Sequence, residues 1–401
     1  MIVGQFNDSY SPCVDGVGNV VRNYAVWLNQ MGHECHVAVP EFPGYNDDNE
    51  PYSIIRCKSV GQPFKGPYRL AIPEFDYEFR KKLFGIPFDI IHAHSPFSTG
   101  EYGRRLAHER HVPMVATFHS KYYDDFKSNL KSTTLARIAL SAVVNFYESA
   151  DFVFAVNEPT VGVLRDYGYK GDLGVLPNGC EYDAVQDVEP LRRAFNEKHH
   201  VGPDETVLLF VGQHIQAKNI RLILKACAIL KSNGIRFRLF TAGEGKDMND
   251  CINLARELGI DGVTTFLGKI LDRSELQTVF ARADLFLFPS VYDNAPIVMM
   301  EAASVKCPAL VISGTNSAAG IRDGYNGFFG PASVAGYAAR IAALLEHPEL
   351  IKTVGENAQK TVYVHWEKRV EDLTVLYEDL IKTYKLREGK AKPKWGNLRF
   401  Y

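Results

Sequence analysis

Long apolar runs are missing from this 401-residue chain. No stretch of 18 or more apolar residues occurs, so no segment reads as a helix crossing a bilayer. The N-terminus "MIVGQFNDSYSP" is a short apolar strand followed by turn residues. It lacks the charged start and long apolar core of a signal peptide. Seven cysteines lie scattered at positions 13, 35, 57, 180, 227, 251 and 307, without CxxC spacing. That pattern argues against a disulfide framework or a zinc site and for reduced thiols. Net charge is only -2, so nucleic acid is not an expected partner. No Asp-x-Asp is present, and the acidic pairs Asp47-Asp48 and Asp124-Asp125 have no His or Cys company. A dedicated metal site is therefore not expected. G-x-x-x-x-G-K-[ST] and G-x-S-x-G are absent too, which removes P-loop and nucleophile-elbow chemistry. Tandem repeats and low-complexity tracts are lacking.

What is present is a rhythm. "MIVGQF" reads as a strand, and Val17, Val20, Val21, Tyr24, Leu28 and Met31 recur at helical spacing before Gly32. "ECHVAVP" reads as the next strand. This is a βαβ unit with parallel strands. "FDIIHAH", "PMVATFH" and "DFVFAVN" continue the series, while residues 41–80 resist assignment. A polar segment near 180–200 marks a boundary. The alternation then restarts with "TVLLFVG", "FRLFTAG", "VTTFLG", "LFLFPS" and "PALVIS" as strands. Two such series predict two doubly wound α/β domains. Residues 348–387 read as helix, and the tail "KLREGKAKPKWGNLRFY" is basic and aromatic.

Open α/β sheets bind ligands beyond the carboxyl ends of their strands. Gly16-Val17-Gly18 opens the first helix, as either an anion contact or a tight turn. Lys218 precedes Asn219, a candidate N-cap. The helix dipole disfavours a cation there, and an anion between the two would reconcile them. The alternative is a solvated loop lysine. "FTAGEGKD" either approaches a flat ring or merely turns. His94 and His119 both end strands of the first domain, and His119 is followed at once by polar loop residues. Asp293 and Glu301 flank Pro296, which suits the first position of a helix over 296–304. Glu301 sits among Ile297, Val298, Met299, Met300, Ala302 and Ala303. A carboxylate in such company is costly unless a polar partner meets it.

The segments "SYSPCVDGVGNVVRNYAVWLNQMGHECHVAVP", "IIHAHSPFSTG", "PMVATFHS", "VLPNG", "FVGQHIQAKN" and "FPSVYDNAPIVMMEAA" together resemble glycosyltransferase family 4 over roughly residues 1–370. "YYDDF" and "SGTNSAAGIRDGYNGFF" look most like its diacylglycerol glucosyltransferase branch. The resemblance implies the GT-B fold, with two Rossmann-like domains facing a central cleft. It implies residues 1–185 as acceptor-binding domain and 186–365 as nucleotide-sugar domain. Residues 366–401 become a C-terminal helix packing back on the first domain, plus the basic tail. The activity implied is metal-independent transfer of a hexose, with retention, from a UDP-sugar to a hydroxyl acceptor, without a cofactor.

Residue by residue, the resemblance puts Asp293 on the donor sugar and Glu301 on the ribose hydroxyls. Backbone groups around Asn294, Ala295, Pro296, Ile297 and Val298 meet the distal phosphate. Lys218 neutralises the diphosphate, and His119 lies near the sugar O6 and anomeric centre. Gly16, Val17 and Gly18 approach phosphate or acceptor, and Gln213, Gly243, Glu244 and Lys269 complete the donor contacts. Three positions depart from the family pattern. Gln213 replaces an arginine, Asp293 is one methylene shorter than the usual glutamate, and Pro296 replaces a glycine and removes an N–H donor.

Two rivals share the architecture: a UDP-sugar epimerase and a non-catalytic nucleotide-sugar binder. The acceptor class is open between lipid, glycan and small molecule. Tyr122, Tyr123 and the helix 135–150, with Lys127, Lys131 and Arg137, form a candidate peripheral membrane surface. Solvated lysines beside a packed helix are the alternative. The expected location is the cytoplasm, with the inner face of the membrane as the candidate contact.

Overall fold

The protein is described here by a computed structural model, covering residues 1–13, 15–48, 50–61 and 68–386. The basic tail beyond Leu386 lies outside the described residues. The chain forms two compact units. The first comprises Met1–Asn178 and the chain from Trp366; the second is Gly179–His365. The first seam thus falls at Asn178/Gly179, a few residues before the expected 185/186.

Seven parallel strands build the first unit: β1 (Ile2–Phe6), β2 (Glu34–Pro40), β3 (Ser53–Cys57), β4 (Ile90–Ala93), β5 (Met114–Phe118), β6 (Phe152–Ala155) and β7 (Leu173–Val175). Their order is β3-β2-β1-β4-β5-β6-β7. Strands 1 to 3 run outward on one side and the later strands on the other, so the switch point lies between β1 and β4. The helices between them are α1 (Gly16–Gln30), α2 (Tyr77–Gly85), α3 (Ser98–Arg110), α4 (Tyr122–Leu130), α5 (Thr133–Ser149) and α6 (Glu158–Asp166). Within the stretch that resists assignment, Ser59–Gly61 and Arg69–Ala71 pair as a short antiparallel ribbon.

Local chemistry starts these helices. Asp15 caps α1 by accepting from the Gly18 N–H at 2.7 Å, and Asn157 caps α6 by accepting from Thr160. Helix α3 has no cap of its own. Asp8, from the loop after β1, accepts from the Thr99 N–H and the Ser98 hydroxyl instead. The C-terminal helix, Trp366–Lys385, belongs to this unit. Its Trp366 meets Tyr24 of α1 edge-on at 5.6 Å, and both are buried.

The second unit repeats the plan with six parallel strands: β8 (Val207–Val211), β9 (Arg238–Ala242), β10 (Thr264–Gly268), β11 (Leu285–Phe288), β12 (Ala309–Ile312) and β13 (Phe328–Gly330). The order is β10-β9-β8-β11-β12-β13. "VLLFV" and "LFLF" are buried throughout, because helices cover both faces of a parallel sheet. Those helices are α7 (Glu189–His199), α8 (Ile220–Ser232), α9 (Met248–Glu257), α10 (Arg273–Arg282), α11 (Val298–Ser304), α12 (Val334–Leu345) and α13 (Pro348–Thr361). Two apolar layers result. Leu208, Ile223, Leu239 and Ile341 pack on one face of the sheet, and Leu209, Phe240, Phe280 and Phe286 on the other.

Candidate active site

In the second unit the polar groups gather past the carboxyl ends of the strands. After β8 the chain makes one 3-10 turn, Gln216–Lys218. Asn219 follows in the left-handed region, with φ of 57°. It is therefore no side-chain N-cap, contrary to the expectation. The turn aims Lys218 at the loop after β11, where its ammonium pairs with Asp293 Oδ1. Each side chain keeps less than a fifth of its surface exposed. The second oxygen, Asp293 Oδ2, is shut off from solvent and accepts no hydrogen bond among the described residues. Such an acceptor is destabilising until a donor reaches it.

The helix expected over 296–304 starts two residues later, at Val298. Ahead of it, the Met299 N–H donates back to the Pro296 carbonyl at 3.2 Å. Pro296 therefore lies ahead of the helix, not at its first position. Asn294 accepts from Asn316 Nδ2 at 2.9 Å. Ser317 donates to the Asp293 carbonyl at 3.3 Å, which steadies the loop.

Glu301 is 4% exposed, and its partner is a guanidinium. Arg273, at the start of α10, donates to Glu301 Oε1 and also meets Glu181 at 3.2 Å. Its guanidinium lies 4.7 Å over the Tyr182 ring. Burial raises the Glu301 carboxyl above its usual range, and Arg273 opposes the shift. Burial also works against charge on Arg273, but Glu301, Tyr182 and Glu181 outweigh it and raise its pKa.

The glycine loop after β9 serves the fold. Gly243 has φ of 126°, and a Cβ there would lie 2.0 Å from the Gly212 carbonyl oxygen. A Cβ on Gly245 would lie 2.4 Å from that of His214. Backbone bonds hold the two loops together, His214 to Glu244 at 3.0 Å and Asp247 to His214 at 2.9 Å. Close backbone approach thus accounts for these glycines without a ring. Gln213, Glu244 and Lys269 stand exposed beside this junction.

In the first unit, Gly16 and Val17 sit in the first turn of α1, with Gly16 exposed. The Gly18 N–H is committed to Asp15, so this helix end already holds a carboxylate. A ligand anion there would have to displace it. The histidines are more connected than expected. His94 Nδ1 lies 3.1 Å from His119 Nε2, and His94 Nε2 lies 2.6 Å from Gln5 Oε1. Gln5 Nε2 donates to the Tyr377 hydroxyl at 3.2 Å, and that hydroxyl lies 2.5 Å from His92 Nδ1. His92 Nε2 reaches the Thr117 hydroxyl at 2.7 Å. All six side chains are buried. Burial holds His92 and His94 well below the ordinary histidine value and His119 down at about 3. The group is therefore neutral near pH 7.

Residues 14–183 match the profile of Glycosyltransferase Family 4, and residues 192–361 match that of Glycosyl transferases group 1. The chain belongs to glycosyltransferase family 4. The alpha-monoglucosyldiacylglycerol synthase of Streptococcus pneumoniae is 27% identical, over 100% of this chain and 91% of the relative. That of Acholeplasma laidlawii is 24% identical, over 95% and 98%. The sucrose-phosphate synthase of Thermosynechococcus elongatus superposes with a TM-score of 0.76 at 18% identity, over 95% of this chain and 99% of that one. The Anabaena protein HepE, solved with UDP-glucose, gives 0.70 at 15%, over 96% and 99%. The two sheets and these neighbours make the fold GT-B.

In this family 4 enzyme, Lys218 and Asp293 come together directly. Glu301 is held by Arg273, and His119 by His94. Five of these partners escape a reading of the sequence: Arg273, Glu181, Gln5, His92 and Tyr377. Only His92 carries a readable signal, since period two in "IIHAH" puts it on one face with His94.

Proposed function

We propose that this glycosyltransferase moves a hexose, with retention, from a UDP-sugar to the hydroxyl of a diacylglycerol-type lipid. The observation that carries the sugar part is the bare, buried Oδ2 of Asp293 beside the Lys218 ammonium. A sugar hydroxyl is the donor that oxygen lacks, and a diphosphate is the anion that lysine suits. In the reaction the bond from the anomeric carbon to the diphosphate oxygen breaks, and UDP leaves. The acceptor oxygen joins that carbon on the same face, and its proton passes to the departing phosphate. Lys218 stabilises the charge that grows on the leaving group. Glu301, steadied by Arg273, takes the ribose hydroxyls. Gln213, Gly243, Glu244, Lys269 and the backbone from Asn294 to Ile297 border the donor.

The lipid part rests on the two named relatives and on one surface. Leu130, Leu135 and Ile138 of α4 and α5 are 42%, 52% and 63% exposed, beside exposed Lys127, Lys131 and Arg137. Apolar side chains flanked by cations suit an anionic membrane. Among the described residues no helix is long and apolar enough to cross one.

The test offers UDP-glucose, UDP-galactose and UDP-N-acetylglucosamine with anionic vesicles containing diacylglycerol, or with soluble alcohols and glycans. The expected product is an α-linked glycolipid and free UDP. Transfer only to soluble acceptors would overturn the lipid assignment. Epimerised donor without transfer, or donor binding without turnover, would overturn the transferase reading.

A further inference from the structure

A cation opens α10. Arg273 is the first residue of that helix, where the positive end of the helix dipole disfavours a guanidinium. The helix does not need it there. Asp272 already caps α10 by accepting from the Ser274 N–H at 2.8 Å and the Glu275 N–H at 3.3 Å. What offsets the misplaced charge is a pair of carboxylates. Arg273 Nε lies 3.2 Å from Glu181 Oε2, and Nη2 donates to Glu301 Oε1. The face of the Tyr182 ring lies 4.7 Å from the same guanidinium. The turn bearing Glu181 and Tyr182 is fixed from elsewhere in the second unit. The Cys180 N–H donates to the Val364 carbonyl, and the Tyr363 hydroxyl to the Tyr182 carbonyl, both at 2.9 Å. A planar guanidinium gripped on two edges and one face has little freedom left.

Glu301 gains more from this grip than a partner. Burial pushes its carboxyl toward the neutral form, and Arg273 is the group that opposes the push. The other titratable groups that bear on it, Glu181, Tyr182 and Cys180, bring no positive charge. The distinction matters for what the carboxyl can bind. An ionised carboxylate only accepts, on about four lone pairs, and can take two neighbouring hydroxyls. A neutral carboxyl spends one oxygen on its own proton. Arg273 occupies one acceptor position, on Oε1. No other donor reaches the Glu301 side chain among the described residues. Oε2 therefore keeps its full capacity to accept.

We propose that Arg273 is a positioning residue that makes the second unit select a ribonucleotide over a deoxyribonucleotide. It keeps Glu301 an anion, fixes Oε1, and leaves Oε2 to accept from the ribose hydroxyls. This rests on the function proposed above, which gives Glu301 the ribose. What it adds is where the selection resides: in the Glu181–Arg273–Glu301 bridge, and not in Glu301 alone. Arg273 acts through Glu301 and is no catalytic residue.

The experiment is calorimetric titration of the full chain with UDP and with its dideoxy analogue, which lacks both ribose hydroxyls. The wild type should prefer UDP by about 10- to 100-fold, as expected for two hydrogen bonds to one carboxylate. Arg273→Met should cut that preference to about 3-fold or less, mainly by weakening UDP. A merely structural role would weaken both ligands alike and leave the ratio in place. Arg273→Lys keeps the charge but cannot bridge two carboxylates, and should fall between. Glu301→Gln should lose the preference, and adding Arg273→Met to it should lower the ratio no further. A wild-type ratio in both Arg273 variants would overturn the proposal and leave the ribose to Glu301. A wild type that binds both ligands equally would overturn it together with the ribose role of Glu301. One that binds no UDP would refute the nucleotide donor itself. Should Arg273→Met not fold, because it strands a buried carboxylate, Arg273→Lys decides alone, and a wild-type ratio there overturns the proposal.

Discussion

The two units share a strand plan but prepare their sites by opposite means. The first collects neutral groups: three imidazoles, an amide and two hydroxyls, sealed under α1 and the C-terminal helix. The second collects full charges in pairs, Lys218 with Asp293 and Arg273 with Glu301. Glu301 is nearly buried and Lys218 and Asp293 are mostly covered, so each of these charges needs its partner, and a pair can exchange partners when a charged ligand arrives. A neutral relay has no spare charge to offer. What it offers is hydrogen bonding without charge. The difference teaches that one doubly wound frame can present paired charges or neutral hydrogen-bonding groups, according to what its inner face carries.

The comparison breaks hardest at Lys218. If the second unit acts through charge, Lys218→Ala should lower kcat/KM by about 10²–10³-fold, or about 2.7–4 kcal/mol. Steady-state kinetics on a variant with an unchanged melting profile measures this. Near-normal kinetics would show that its bond to Asp293 is structural.

Next in size is the acid response of the first unit. Its histidines have folded pKa values below their unfolded ones. Between the two values the unfolded chain binds more protons, so stability is full above about pH 6.5 and is lost as pH falls toward the folded values. Each such histidine contributes about 1.4 kcal/mol per pH unit in that window. Trp27 and Trp366 lie in the first unit, and Gly179–His365 contains no tryptophan. Tryptophan fluorescence during urea unfolding should therefore move to lower urea in acid, and His119→Asn should remove one share of the shift. A pH-independent fluorescence midpoint would contradict a neutral relay.

Smaller still is the effect of adding charge. Gln213 is exposed at the loop after β8, where the family resemblance places an arginine. Gln213→Arg should tighten UDP-sugar binding by about 2- to 5-fold, as expected for a solvent-screened cation; titration calorimetry reads it. The smallest expected effect is none. With Lys218 as counter-charge, exhaustive chelation should leave turnover unchanged. Activity lost and then restored by Mg²⁺ or Mn²⁺ would move the diphosphate's neutralisation from protein to metal.

How legible all this is in the sequence depends on range. The strands announce themselves because both faces of a parallel sheet are buried, so "VLLFV" and "LFLF" are apolar throughout. The burial of Glu301 is readable for the same reason, from its neighbours. Its partner is not, because Arg273 sits 28 positions away and only the fold of α10 aims it. Lys218 and Asp293 are each visible as polar residues after a strand, but nothing local says that they meet. The Asn219 cap fails for a physical reason: a left-handed backbone there turns its side chain toward the Pro289 carbonyl at 3.5 Å and away from the helix N–H groups. The neutral relay is the least legible part. Gln5 and Tyr377 are ordinary in composition, and their roles come from register alone.

The C-terminal helix carries one more consequence, in time instead of space. A ribosome releases a chain from its N-terminal side, and units tend to fold as they emerge. All seven strands of the first sheet are out once Val175 has passed, yet the helix bearing Trp366 and Tyr377 is still to be made. The second unit is contiguous and emerges whole before that helix does. So the nascent first sheet waits with its histidine face covered by α1 alone while the second unit is completed, and the last helix then closes that face. A chain that stops short of Trp366 would have every strand and every histidine, but only α1 over that face and no Tyr377 hydroxyl to meet His92 and Gln5.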